Sequence, residues 1–216
     1  MRLIVMGPPG VGKGSLASNL TKHYNIPHIS TGAMFREEIQ KASPVGKLVQ
    51  AQINAGKFVN DSLTNDIVRE RLLAKDVKNG FLLDGYPRNL RQAEDFEHIL
   101  MQYGWKVDFV IYLDSNENIL LKRITGRRVC KKCGETYHIE NHKPQVDGIC
   151  DKCGSPLVQR EDDTVEITKR RLVIYHEQTQ PIIDFYKARK NFLCIDGNGT
   201  IEEVTERVIN KLEGIK

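Results

Sequence analysis

The chain has 216 residues, 40% apolar and 28% charged, with a formal net charge of +4. A chain of this size buries roughly 70% of the surface its unfolded form exposes, so it needs no disulfides to be stable. No run of 18 apolar residues occurs, which excludes a membrane-spanning helix. The mild positive balance suits a ligand with several negative charges and demands neither DNA nor a membrane. Met1 to Met6 runs straight into a Gly-rich turn without the layout of a signal peptide, so a cytosolic, reducing compartment is expected.

The run Leu3-Ile4-Val5-Met6 predicts a first strand and ends in Gly7-Pro8-Pro9-Gly10. A helix follows over Gly14 to Tyr24, with Leu16, Leu20 and Tyr24 four apart. Pro27-His28-Ile29-Ser30 is a weaker strand signal, and residues 30–59 are polar and helical, punctuated by Gly46 and Gly56. Asn60 to Leu73 predicts a helix with its cap at Asn60 or Asp61. Phe81-Leu82-Leu83 and Phe109 to Leu113 are the next strands, each ending in an aspartate. Residues 127–163 hold four cysteines and no long apolar periodicity. Val165 to Lys190 reads as a long helix kinked at Pro181. Phe192 to Ile195 is a last strand, and Thr200 to Leu212 a closing helix.

Short apolar runs between helices fit parallel strands buried on both faces. The expectation is therefore an α/β fold: a five-stranded parallel sheet with helices on both sides, interrupted by two insertions. The core comprises 1–29, 60–126 and 164–216, and the insertions 30–59 and 127–163.

The first strand leads into Gly7-Pro8-Pro9-Gly10-Val11-Gly12-Lys13-Gly14-Ser15 and then a helix. A phosphate needs convergent donors with no side chain in the way, which glycines and a helix N-terminus provide. Lys13 adds a mobile charge for the outer phosphates, so the fold is of the P-loop type. Gly14 stands where Ser or Thr usually follows the lysine, which weakens the case for direct Mg²⁺ coordination by a hydroxyl. Asp84, at the end of the third strand, is the better candidate for holding the ion's water shell. Phosphoryl transfer asks the protein mainly for positioning and charge stabilisation, and planar guanidiniums suit both. The candidates are Arg36, Arg88, Arg123, Arg127, Arg160 and Arg171.

Five segments, GPPGVGKGS at the loop, STGAMFR (30–36), DGYPRNLRQAE (84–94), GRRVC (126–130) and REDD (160–163), together resemble the adenylate kinase family, in the bacterial form with a long, zinc-containing lid. The resemblance covers essentially the whole chain and implies ATP + AMP ⇌ 2 ADP, with Mg²⁺ on the ATP side. It implies that Gly10, Val11, Gly12, Lys13, Gly14 and Ser15 hold the ATP phosphates. Arg123, Arg127, Thr136, Tyr137 and Gly199 would complete the ATP side. AMP would lie among Thr31, Arg36, Lys57, Phe58, Val59, Gly85, Arg88 and Gln92, while Arg160 and Arg171 close onto the transferring group. Residues 30–59 become the AMP-binding insertion and 127–163 the lid of a cytoplasmic monomer. The chain departs from the family pattern at Ser15, where Thr is frequent, at Tyr86, where Phe is frequent, and at Ala33, where Asp is frequent. The absence of a histidine base beside these motifs agrees with the resemblance. A phosphate acceptor is already largely ionised at neutral pH and needs no base.

Cys130, Cys133, Cys150 and Cys153 form two Cys-x₂-Cys pairs, the spacing of a tetrahedral thiolate site. Structural zinc is expected there, because some 37 residues with few large apolar side chains cannot build a core. His138 and His142 are poor rivals as ligands, since only four residues separate Cys133 from His138. Cys194, alone in Phe192-Leu193-Cys194-Ile195, reads as a buried structural thiol. Two rival functions remain at this level: a UMP or CMP kinase, and an NTPase with a nucleic-acid-binding zinc ribbon. Seven basic and seven acidic side chains in 127–163 argue against the second, since nucleic acid calls for a basic surface.

Overall fold

The computed structural model describes residues 1–214, so the last two positions of the 164–216 segment lie outside the described residues. Strands β1 (Arg2–Met6), β2 (His28–Ser30), β3 (Phe81–Asp84), β4 (Phe109–Asp114) and β8 (Phe192–Asp196) form one parallel sheet in the order β2-β3-β1-β4-β8. The side-chain period of two divides β1 between two cores. Leu3 and Val5 join Leu82, Ile111 and Leu113 under helices α1 (Lys13–Tyr24) and α9 (Ile201–Gly214). Ile4 and Met6 join Phe81, Leu83 and Val110 under α5 (Leu90–Gln102) and α8 (Gln180–Lys187). Both faces are therefore dry, which is why the strands read as unbroken apolar runs.

Residues 31–54 fold as two packed helices, α2 (Thr31–Gln40) and α3 (Pro44–Asn54), around a small cluster of Phe35, Val49 and Val59. Helix α4 (Asp61–Leu72) returns the chain to the sheet with Asn60 as its cap. Helix α6 (Glu117–Thr125) leads into a second, antiparallel sheet in the order β6-β5-β7, made by β5 (Arg127–Cys130), β6 (Thr136–His138) and β7 (Leu157–Val158).

Four results depart from the sequence reading. Helices α5 and α6 were not expected, although Phe96, Ile99 and Leu100 on α5 line one core and Leu120 on α6 the other. The three-stranded sheet in 127–163 was not expected either, because its strands are too short to show alternation. The long helix from Val165 does not simply kink. It runs as α7 (Val165–Ile174), widens into a π-helical turn over Tyr175–Thr179, and resumes as α8 with Pro181 in its first turn, where proline's missing N–H breaks no ladder. Cys194 is exposed, not buried. Among the described residues strand β8 pairs only with β4, so Cys194 sits on an edge strand of the sheet.

Candidate active site

The loop between β1 and α1 sits at the carboxyl edge of the central strand. Gly10 has φ +85, and a Cβ on it would stand 2.7 Å from Ile124 and 2.8 Å from the Leu120 carbonyl oxygen. Only glycine lets the loop approach α6 this closely. Helix α1 differs from its neighbours at its start. Helices α2, α3, α4, α5, α6 and α7 each carry a side-chain cap, from Ser30, Ser43, Asn60, Asn89, Asn116 and Thr164. Helix α1 begins at Gly12 with φ +103, no side-chain cap and no acid in its first turn. Its first amides stay available to an anion, and the helix dipole favours one there.

Lys13 folds back over this loop, donating to the Gly7 and Pro8 carbonyls at 2.7 and 2.8 Å. Loss of hydration around its ammonium lowers its pKa from 10.5 to about 7, with Asp84 opposing and Arg88, Arg171 and Arg127 adding to the fall. Asp84, at the end of β3, lies 3.4 Å from His28 Nε2. Burial works to raise its pKa, but His28, Lys13 and Arg88 outweigh that and hold the carboxyl below its ordinary value. Its Oδ2 would stand 3.7 Å from a Cβ on Gly14, so the carboxylate faces the loop where that hydroxyl is missing.

Arg36, Arg88, Arg127, Arg160 and Arg171 come from α2, the β3–α5 loop, β5, the β7–α7 loop and α7, yet Arg88, Arg127 and Arg171 lie within electrostatic reach of Lys13, and Arg36 and Arg160 within reach of Arg127. Loss of hydration is the main cause lowering the pKa of Arg36, Arg88, Arg160 and Arg171, and mutual repulsion adds to it. Guanidiniums nonetheless stay charged. The anions among them are Asp84, Asp162 and Asp163: Arg171 donates to Asp162 at 3.0 Å, and Arg127 forms a two-pronged pair with Asp163. Among the described residues, six cations set against these three carboxylates leave a net positive charge that favours a polyanion. Asp162 and Asp163 had no role in the sequence reading. Their signal was the Glu-Asp-Asp run directly after Arg160.

Around Gly85 (φ +77), the carbonyl oxygen accepts from Thr31 Oγ1 at 2.8 Å and Arg88 Nε at 2.7 Å. The Arg88 guanidinium lies 5.1 Å over the Phe58 ring, and its main-chain oxygen accepts from Thr179 in the π-helical turn at 2.8 Å. Gln92 is buried behind it. Lys57, Phe58, Val59, Asp61 and Asn89 line an adjoining cleft of about 430 Å³. The two inserted segments also meet: Asn54 donates to Glu161 at 3.2 Å.

Two expected site residues lie apart. Arg123 donates to the Val11, Gly197 and Gly199 carbonyls at 3.4, 2.9 and 3.0 Å, tying the phosphate loop to the β8–α9 loop without joining the other arginines. Tyr137 is 4% exposed, with its ring stacked on His142. Its hydroxyl accepts from Asp151 N at 2.9 Å and lies 3.6 Å from Cys150 Sγ. The structure therefore buries Tyr137, where the resemblance implies a nucleotide contact, and leaves its neighbour Thr136 half-buried.

The four cysteines are free thiols whose sulfurs all lie within 4.8 Å of one another. Cys130 and Cys153 are 3.4 Å apart, and Cys133 and Cys150 3.5 Å. Zn–S bonds of ~2.3 Å place tetrahedral sulfurs ~3.8 Å apart, so the cluster fits a zinc ion. Two matching turns build it, with Gly134 N bonded to Cys130 O at 2.9 Å and Gly154 N to Cys150 O at 2.8 Å. Donors from Ser155 pull the Cys153 pKa down to about 6, while burial and hydrogen bonds with the other three sulfurs push Cys133 up to about 12.

A family model described as Adenylate kinase matches residues 5–191. Curated relatives include the adenylate kinase of Thermoanaerobacter sp. (strain X514), 46% identical over 208 residues, or 96% of each chain. That of Clostridium novyi (strain NT) is 43% identical over 216 residues, the whole of both chains. That of Finegoldia magna is 45% identical over 213 residues, 99% of each.

Proposed function

The chain belongs to the adenylate kinase family, and from that premise we propose how its own residues carry out ATP + AMP ⇌ 2 ADP as a nucleoside monophosphate kinase. The carrying observation is the uncapped start of α1 with Lys13 upon it and Arg88, Arg127 and Arg171 within electrostatic reach of that lysine, Arg36 and Arg160 lying in turn near Arg127. Amides of residues 10–15 and Lys13 take the outer phosphates of ATP, and Arg123 holds the two loops, with Gly199, that border its base. Thr31, Arg36, Gly85, Arg88 and the 57–59 backbone seat AMP, with Gln92 meeting the adenine. Arg160, Arg171 and Arg127 stabilise the charge that spreads over the moving phosphoryl group, and the acceptor phosphate needs no proton removed. Mg²⁺ bound with ATP would supply charge neutralisation between the phosphates, and Asp84, ionised and facing Gly14, is the residue that would hold its water shell.

Residues 30–59 and 127–163 close over the core from two sides, and closure keeps water from taking the phosphoryl group. Zinc on the four cysteines staples the 127–163 lid, with no ligand position left open for chemistry. A protein that does not bind nucleic acid fits the balanced lid charge, and among the described residues no helix is long and apolar enough to cross a membrane. The test is a coupled assay of ADP formation with zinc analysis of the same sample. ADP is expected only when ATP and AMP are both present, and equally fast ATP hydrolysis without AMP would overturn this reading.

A further inference from the structure

The reading of Gln92 as the group that meets the acceptor base, on which this inference rests, raises the question of which way round its amide is held. Two neighbours decide it. Gln92 Nε2 donates to Asp61 Oδ1 at 2.7 Å, and Gln92 Oε1 accepts from the Arg88 main-chain N–H at 2.8 Å. An ionised carboxylate only accepts and a main-chain N–H only donates. Turning the amide over would set acceptor against acceptor at Asp61 and donor against donor at Arg88. Gln92 is 1% exposed, so water does not relieve that mismatch. Asp61 is itself pinned: Asn89 Nδ2 donates to the same Oδ1 at 2.8 Å, while the Asn89 side-chain oxygen caps α5 at Gln92 N. The first residue of α4 is thereby locked to the first turn of α5.

We propose that Asp61 is a positioning residue for acceptor specificity: by locking the Gln92 amide, it makes the site read an amino-bearing base edge and reject an oxo-bearing one. After its two bonds, the amide keeps one N–H on Nε2 and one lone pair on Oε1. With AMP as acceptor, these pair with the ring nitrogen N1 and the 6-amino group of adenine. Hypoxanthine has nearly the same shape but presents an N1–H and a 6-oxo group, so it needs the amide reversed. Cytosine carries adenine's order of acceptor and donor, and uracil carries hypoxanthine's.

The experiment compares kcat/KM for AMP and IMP in the full-length wild type, Asp61→Asn, Gln92→Ala and the double variant. Asparagine keeps the shape but presents either an acceptor or a donor, so only the Arg88 N–H then resists reversal. The wild type is expected to prefer AMP on the order of 10⁴-fold. Asp61→Asn is expected to narrow the preference about 10-fold or more through the acceptor constants, with KM for ATP unchanged. In the double variant, Asp61→Asn adds nothing to Gln92→Ala. If Gln92→Ala keeps the full AMP preference, the base is read elsewhere and the parent reading fails. If Gln92→Ala loses it while Asp61→Asn keeps it, the role of Asp61 alone is overturned. The wild type provides a check free of any folding defect: CMP is expected to exceed UMP as acceptor, and UMP equal to or better than CMP would overturn the inference.

Discussion

In the five-stranded core, Phe81, Phe96 and Tyr186 are fully buried on the face under α5 and α8, and Leu3, Leu20 and Leu82 on the face under α1 and α9. In the β5–β7 segment the enclosed residues are Cys130, Tyr137 and Cys150, with Cys133, Cys153 and Leu157 against them. The first region folds by removing hydrocarbon from water. The second has almost none to remove, and its cohesion rests on sulfurs that a metal can bridge. Stability and chemistry are also divided differently. The arginines are held by the core yet lie outside its apolar clusters, whereas in the cysteine segment the cohesive residues are the same cysteines that could ligate a metal. Core and arginines are therefore expected to be damaged separately, and the cysteine segment's fold and any metal it holds together.

The strongest way to break this comparison is metal removal. Binding of structural zinc contributes on the order of 10–16 kcal/mol in small domains, so chelation, or Cys150→Ser, is expected to unfold the lid while the sheet keeps its cooperative melt. Circular dichroism and zinc content on one sample check this, and an unchanged zinc content in Cys150→Ser would refute the four-cysteine site. Next come Lys13→Ala and Arg88→Ala. Each is expected to lower kcat on the order of 10³–10⁵-fold with melting temperature and zinc content unchanged, and near-native turnover in either would remove that residue from the chemistry. Phe96→Ala sharpens the opposite half of the comparison. It is expected to cost about 3–5 kcal/mol of core stability, read by denaturant unfolding, with zinc content intact and kcat per folded molecule unchanged.

The smallest effect is a proton. In the free protein Lys13 has its pKa lowered to about 7 against an ordinary 10.5, so the folded state disfavours the ammonium. Between about pH 7 and 10.5 the unfolded chain binds the extra proton. Stability attributable to Lys13 therefore rises with pH across that window, and below pH 7 its full unfavourable effect is present. Phosphates restore the charge, so ATP binding near pH 8 is expected to take up close to one proton. Calorimetry in buffers of different ionisation enthalpy measures that uptake, and a Lys13→Met variant is expected to lose it.

Much of this was legible in the chain. All five core strands, the helix over Asn60 to Leu73, the phosphate loop and the Cys-x₂-Cys pairs depend on spacing along a few residues, and local geometry carries such information directly. Helices α5 and α6 were readable and went unread: Ala93, Phe96, Ile99 and Leu100 recur at helical spacing on α5, and Leu120 and Ile124 on α6. The arginine cluster was readable as residue types, but not that Asp162 and Asp163 would pair with Arg171 and Arg127, or that Arg123 would turn to the carbonyls of Gly197 and Gly199.

The order of residues by itself determined the two-sided sheet, the anion-ready start of α1 and the cysteine quartet, since each follows from backbone preference, side-chain period or ligand spacing within one segment. Only the folded chain decided that Cys194 lies exposed on an edge strand, that Tyr137 turns inward to Cys150, and that Asp61 grips Gln92 across 31 positions. Those outcomes depend on which elements pack together, and a hydrogen bond between distant segments has no period that a sequence can display.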